Sequence, residues 1–244
     1  MRLRQLVLAS MVLSCAAIAA PRAQDYNAIV AAPDRSDADR QTDQRRKPAE
    51  MLAFTGVRTG MKVLDVGAAG GYSTELLARA VGPTGKVYAQ DSAETAARVE
   101  ERFSPRTKNP AFSSVVTRVS SAYDAPVPAD VRDLDLVTIF FWYHDLTYME
   151  VDRAKMNRAL FAALKPGGHL VIADHSAPAG TGVTVGKTLH RIEESALRQE
   201  LEAAGFKLVG QGDFLRHPED PRDKIVFRPA VPVDEFVLKF EKPR

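Results

Sequence analysis

Short apolar runs alternate with helix-period amphipathic segments along most of the chain. The runs predict strands over 62–66, 86–90, 115–119, 134–141 and 170–173. Between them, apolar positions three and four apart predict helices over 73–80, 94–103 and 151–164, with Leu76 and Leu77 on the inward face of the first. A further helix is predicted upstream over 36–54, kinked or divided at Pro48. Glycine and proline punctuate the alternation at Gly56, Gly60, 82–85 and 165–168.

Strands that read as continuous apolar runs and alternate with helices imply a parallel sheet covered on both faces. The end of the chain breaks that rhythm. One helix is predicted over 188–204, stopped by Gly205, and then strands over 206–210 and 236–240. A proline-rich loop, 216–232, joins these two with no helix between, so they pair antiparallel. The fold class is therefore α/β, a Rossmann-like, mostly parallel sheet finished by an antiparallel C-terminal strand pair.

Before residue 24 the pattern differs. Arg2 and Arg4 precede an apolar run from Leu6 to Ala20, which closes on small residues with Ala23 beyond. This is the layout of a secretory signal over 1–23, leaving 24–244 as one domain with an N-terminal helical extension. The expected location is periplasmic or secreted, with no stable membrane insertion once the signal is cleaved. Two alternatives stay open: an uncleaved anchor, for which about 15 apolar residues are short of the roughly 20 of a full span, or a lipid anchor on Cys15, the single cysteine.

Composition changes the picture little: 244 residues, 45% hydrophobic and 26% charged, suit one well-buried core. Charge changes it more. The formal net charge is +2, but Arg2, Arg4 and Arg22 lie in the signal, which leaves 30 basic against 31 acidic residues in the remainder. A nearly neutral chain carries no basic footprint for nucleic acid. Its one cluster, Arg45-Arg46-Lys47, reads as a solvated helix face beside Asp39 and Asp43.

The candidate chemistry begins at Asp65-Val66-Gly67-Ala68-Ala69-Gly70-Gly71, where the first strand hands over to a helix. Such a turn lets backbone approach a ligand and presents free N–H groups at a helix start. Asp91 closes the second strand about twenty residues on, where a carboxylate can accept both ribose hydroxyls. With Leu-Lys-Pro-Gly-Gly at 164–168 before an apolar strand, the chain resembles the class I S-adenosylmethionine-dependent methyltransferases over nearly all of residues 24–244. Within that family it resembles bacterial members that carry signal sequences. The resemblance implies S-adenosylmethionine as cofactor, held by Asp65, Gly67, Ala69, Gly71 and Asp91. Ala69 stands where the family's middle glycine falls, and Ser121 where an acidic residue often meets adenine.

Ligands of open α/β sheets sit beyond the carboxyl ends of the strands. The fourth strand ends in Trp142-Tyr143-His144-Asp145 and the fifth in Asp174-His175, while the helix from 188 adds His190 with Glu193 and Glu194 one turn on. Methyl transfer needs a nucleophile that is often deprotonated, and a neutral His oriented by a carboxylate suits that base role. The candidate catalytic residues are His144, Asp145, Asp174, His175 and His190. Each Asp taken alone also fits simple helix capping. One variant puts a divalent metal on Asp145, Asp174 and His175, as in cation-dependent O-methyltransferases, with His favouring a transition metal. The expected reaction moves a methyl group to a small-molecule acceptor. Its alternatives are a non-catalytic ligand-binding protein on the same scaffold, or another metal-dependent enzyme using the His/Asp cluster.

Overall fold

The computed structural model describes residues 24–227 and 229–244. The predicted signal and Cys15 lie outside these residues. Seven strands form one sheet in the order β3-β2-β1-β4-β5-β7-β6. They are β1 (Lys62–Val66), β2 (Lys86–Asp91), β3 (Val116–Ser120), β4 (Leu134–Phe140), β5 (Leu164–His175), β6 (Lys207–Gly212) and β7 (Glu235–Glu241). The first five run parallel, and β7 lies antiparallel to both β5 and β6, as the missing crossover helix predicts. The reversal of order on either side of β1 and β4 opens the crevice in which such sheets bind ligands.

Helices cover both faces. One core joins Leu64 and Val66 of β1 to Met156 and Leu160 of α7 (Arg153–Ala163) and to Leu197 and Leu201 of α9 (Glu194–Ala203). The other joins Val63 to Met51 and Leu52 of α3 (Pro48–Thr55) and to Leu77 and Val81 of α4 (Tyr72–Val81). Alternation along β1 sends successive residues to opposite cores, which is why Val63, Leu64 and Val66 are all apolar. Helix α5 (Ala93–Phe103) packs Phe103 on Phe112 of the short α6 (Pro110–Ser113).

One local expectation is met and two need correction. The helix predicted over 36–54, kinked or divided at Pro48, is divided there into α2 (Asp37–Arg46) and α3, because Lys47 turns left-handed at φ 43° ahead of Pro48; a short α1 (Tyr26–Val30) precedes them. Strand β5 begins six residues earlier than predicted. Gly167 donates to the Lys242 carbonyl and Lys242 to that of Gly168, so the C-terminal chain carries the turn into the sheet. The predicted helix 188–204 is also divided, into α8 (Gly186–Leu189) and α9. Between them His190 has φ 52°, and Ile192 bridges to Ser176. The buried Arg191 holds the break open, donating to the carbonyls of Ser176 and Lys224 at 2.9 Å each and to Asp220 at 2.8 Å.

Among the described residues no helix is long and apolar enough to cross a membrane.

Candidate functional site

The glycine turn is built on β2. Gly67 and Ala68 donate to the Gln90 carbonyl at 2.9 and 3.1 Å, and the Ala69 amide donates to Asp91 Oδ1 at 3.1 Å. Gly67 has φ +71°, and a Cβ there would lie 2.4 Å from Trp142 Cγ, so the Trp142 indole, two residues past β4, rests directly on the turn. Ala69 is left-handed at φ 47°, a strained conformation for a residue with a side chain. Gly71, at φ 79°, starts α4, and among the described residues no side chain caps the helix's first amides.

Asp65 and Asp91 are both buried but stand in different surroundings. Asp65 accepts from Thr74 and Thr138 at 2.7 Å each and from Ser73 at 3.3 Å, a closed set that ties β1 to α4 and β4. Burial pushes its pKa up to about 6. Asp91 is also raised to about 6 by burial, but its Oδ2 has no partner among the described residues. A buried carboxylate oxygen left unpaired is costly. Placed under a strained glycine turn, it is an acceptor waiting for donor hydroxyls, and that fits the ribose end of S-adenosylmethionine. Tyr123, which sequence reasoning passed over, brings its hydroxyl to 3.5 Å from Asp91 Oδ1 and its ring to 5.8 Å from that of Trp142. Ser121 lies at the far side of Asp91: its amide donates to the Asp91 carbonyl and its own carbonyl accepts from Gln90.

The histidines gather at the ends of β4 and β5. His144 is buried and gripped twice by Asp174, through its amide at 2.9 Å and its Nδ1 at 2.6 Å. Its Nε2 lies 3.1 Å from Asp145 Oδ1, and His190 Nδ1 reaches the same oxygen at 3.0 Å. The His175 ring stands 5.4 Å from that of His144 and 5.1 Å from Phe141. All five predicted catalytic residues therefore meet. Glu193 and Glu194 do not: the break at His190 sends the first to the Gly182 amide and the second to Arg216.

Protonation separates the two inner histidines. For His144, burial acts to lower the pKa, but Asp174 and Asp145 outweigh it and raise it to about 10. For His175, burial wins and holds the ring neutral, well below its ordinary range. The neutral ring expected of a base is thus His175, not His144. Its Nδ1 is 3.0 Å from Glu235 Oε1 across the β5–β7 pair, though off hydrogen-bond geometry. Burial lifts Glu235 to about 7.

A cavity of about 740 Å³ runs from Gly67 and Ala69 past Trp142 to His144, Asp145, His175 and His190. The glycine turn and the histidine cluster thus open into one space. Arg46 lines it too, with its guanidinium 3.7 Å from the Phe141 ring centroid and its Nε unpartnered among the described residues. Burial, then the neighbouring Arg45, lowers the Arg46 pKa to about 10. The reading of 45–47 as a solvated face is corrected here: Arg46 stacks on an aromatic wall, Arg45 pairs with Glu235 at 2.9 Å, and Lys47 donates to the Phe214 carbonyl. Charge spacing along α2 held no signal for this, because the packing partners come from β4, β7 and the last loop.

Residues 41–190 match the ubiE/COQ5 methyltransferase family. This chain belongs to that family. The Ubiquinone/menaquinone biosynthesis C-methyltransferase UbiE of Cupriavidus taiwanensis is 33% identical over 125 residues, 51% of this chain and 47% of that protein. The protein of the same name from Cupriavidus pinatubonensis is 29% identical over 167 residues, 68% and 61% of the two chains. The chain spans about half the length of most of the curated relatives it matches. A SAM-dependent methyltransferase from Aquifex aeolicus superposes with a TM-score of 0.59 at 21% identity, over 84% of this chain and 98% of that one. A SAM-dependent O-methyltransferase from Thermotoga maritima gives 0.54 at 16% identity, over 82% and 65%. At these identities the superpositions show a shared fold, the class I methyltransferase sheet.

Proposed function

We propose that the protein transfers a methyl group from S-adenosylmethionine to a small-molecule acceptor held in the 740 Å³ cavity. One observation carries the reading: the glycine turn above the unpartnered Asp91 oxygen and the buried His/Asp cluster line a single space. Family membership supports the cofactor, and the relatives' names support an acceptor of small size.

S-adenosylmethionine, when bound, supplies an electrophilic methyl group. The chain's part is to bind, orient and dry the site. Asp91 is positioned for the ribose hydroxyls, the Gly67–Gly71 turn gives backbone room, and Trp142 forms the wall between turn and cluster. His175, neutral and facing the cavity, takes the acceptor's proton, and Glu235 beside it steadies the charge that results. Asp174 fixes the His144 ring, and Arg46 offers a cation over Phe141 to an anionic or electron-rich part of the acceptor. The signal-like segment 1–23 leads us to place this activity outside the cytoplasm, a placement that a fusion to a reporter active only after export would test.

Calorimetric titration with S-adenosylmethionine and with its demethylated product tests the reading directly. Micromolar binding of both, followed by label transfer to members of a phenol and quinol panel, is the expected result. No heat with either ligand would turn the reading to a scaffold that binds something else.

A further inference from the structure

We infer that His144, Asp145 and His190 form a binding site for a divalent transition-metal ion at the acceptor end of the cavity. The metal set weighed from sequence does not assemble. Both oxygens of Asp174 are taken up by His144 and by the His144 and His175 amides, and His175 turns its Nδ1 toward Glu235. A different set does. One donor atom each from His144, Asp145 and His190 lies within 4.8 Å of the other two.

The spacing is that of a coordination shell. His144 Nε2 and His190 Nδ1 stand 3.1 and 3.0 Å from one Asp145 oxygen. Ligands about 2.1 Å from a metal are roughly 3.0–3.4 Å apart along the edge of an octahedron or tetrahedron. The donors therefore need only small side-chain movements to take up an ion, which displaces the Nε2 proton of the charged His144 ring to solvent. The surroundings are built the same way. His144 gives its other ring nitrogen to the fully buried Asp174 at 2.6 Å, the carboxylate–histidine arrangement that fixes a ligating ring. The Tyr148 hydroxyl donates to Asp145 at 2.6 Å and orients the carboxylate.

Two nitrogens and one carboxylate favour zinc, iron(II) or manganese over magnesium. Three protein ligands leave coordination positions open, and the same three residues line the cavity, so those positions face it. An acceptor bearing a hydroxyl would coordinate there through its oxygen. That placement rests on the methyl-transfer reading, whereas the metal's protein ligands do not.

The test uses the purified full chain, stripped with chelator and titrated with Co²⁺ and Zn²⁺. One equivalent of Co²⁺ should bind with visible d–d absorption, and Zn²⁺ should displace it. His190→Ala and Asp145→Asn should each weaken Co²⁺ binding by at least ~10-fold. Thermal melts of both variants show whether the fold is intact, and His190→Gln serves as the milder change if Ala disturbs it. Absence of cobalt absorption, or affinity unchanged in folded variants, would overturn the inference. A parallel S-adenosylmethionine titration separates the two readings. Metal binding without cofactor binding sinks the methyl-transfer reading alone, and cofactor binding without metal sinks this one alone.

Discussion

Asp91→Asn separates what this carboxylate does for the ligand from what it costs the fold. The side chain is buried, and its pKa is about 6 against an ordinary 3.8. The folded protein therefore holds the Asp91 proton to higher pH than the unfolded chain does. Stability is lost as pH rises from about 4 to about 6 and stays lost above. At about 1.4 kcal/mol per pKa unit, the ionised group costs about 3 kcal/mol at pH 8 and roughly half of that at pH 5. Asparagine keeps an oxygen for the Ala69 amide and carries no charge. Its NH₂ takes the place of the unpartnered oxygen, at a pH-independent cost of about 1–3 kcal/mol. The difference in unfolding free energy, variant minus wild type, should then rise by about 1.5 kcal/mol between pH 5 and pH 8. Urea denaturation at the two pH values reads this directly. In the same samples, S-adenosylmethionine should raise the wild-type midpoint and leave the variant's unmoved. A difference independent of pH would show that Asp91 ionises freely in the folded state. A full ligand shift in the variant would remove Asp91 from the cofactor site.

Gly67→Ala pushes a Cβ to 2.4 Å from Trp142 at φ +71°. It should cost at least ~1–2 kcal/mol in backbone strain and shift the emission of the single tryptophan; an unchanged spectrum and melting point would contradict the contact. Asp174→Asn removes the buried partner of His144 and should cost about 3–5 kcal/mol in chemical denaturation, whereas a loss below about 1 kcal/mol would mean the pair is not ionised. Arg191→Ala should release the 213–234 loop and speed tryptic cleavage after Arg222 and Lys224, with unaltered cleavage the contrary result. His175→Ala should leave S-adenosylmethionine affinity in titration within about twofold while lowering turnover at least ~100-fold; turnover unchanged would move the base elsewhere.

Local pattern sufficed for the sheet's ingredients. The bounds predicted for β1 match those observed, and β2, β3 and β4 come within a residue or so, because the central strands, buried on both faces, carry apolar runs that the sequence shows directly. The glycine turn was legible for a related reason: positive φ and close approach to Trp142 demand glycine in the chain itself. The gathering of His144, Asp145, Asp174 and His175 also followed from sequence, since neighbouring parallel strands bring their carboxyl ends together, while His190, also expected there, reaches them from the break after α8.

What each of those residues does there was decided by tertiary structure. His144 and His175 read alike in sequence, each beside an aspartate. Only the sheet order sets Asp174 against one ring and Glu235 against the other, leaving the first charged and the second neutral. The break at His190 was invisible because helix periodicity runs straight through it; Arg191 needs a buried partner, and that partner is Asp220, 29 residues away. Arg46 looked like solvent-facing charge until Phe141 came beneath it. Apolar periodicity is a property of neighbours in the chain, whereas ionisation, ligand spacing and cavity walls are properties of neighbours in space.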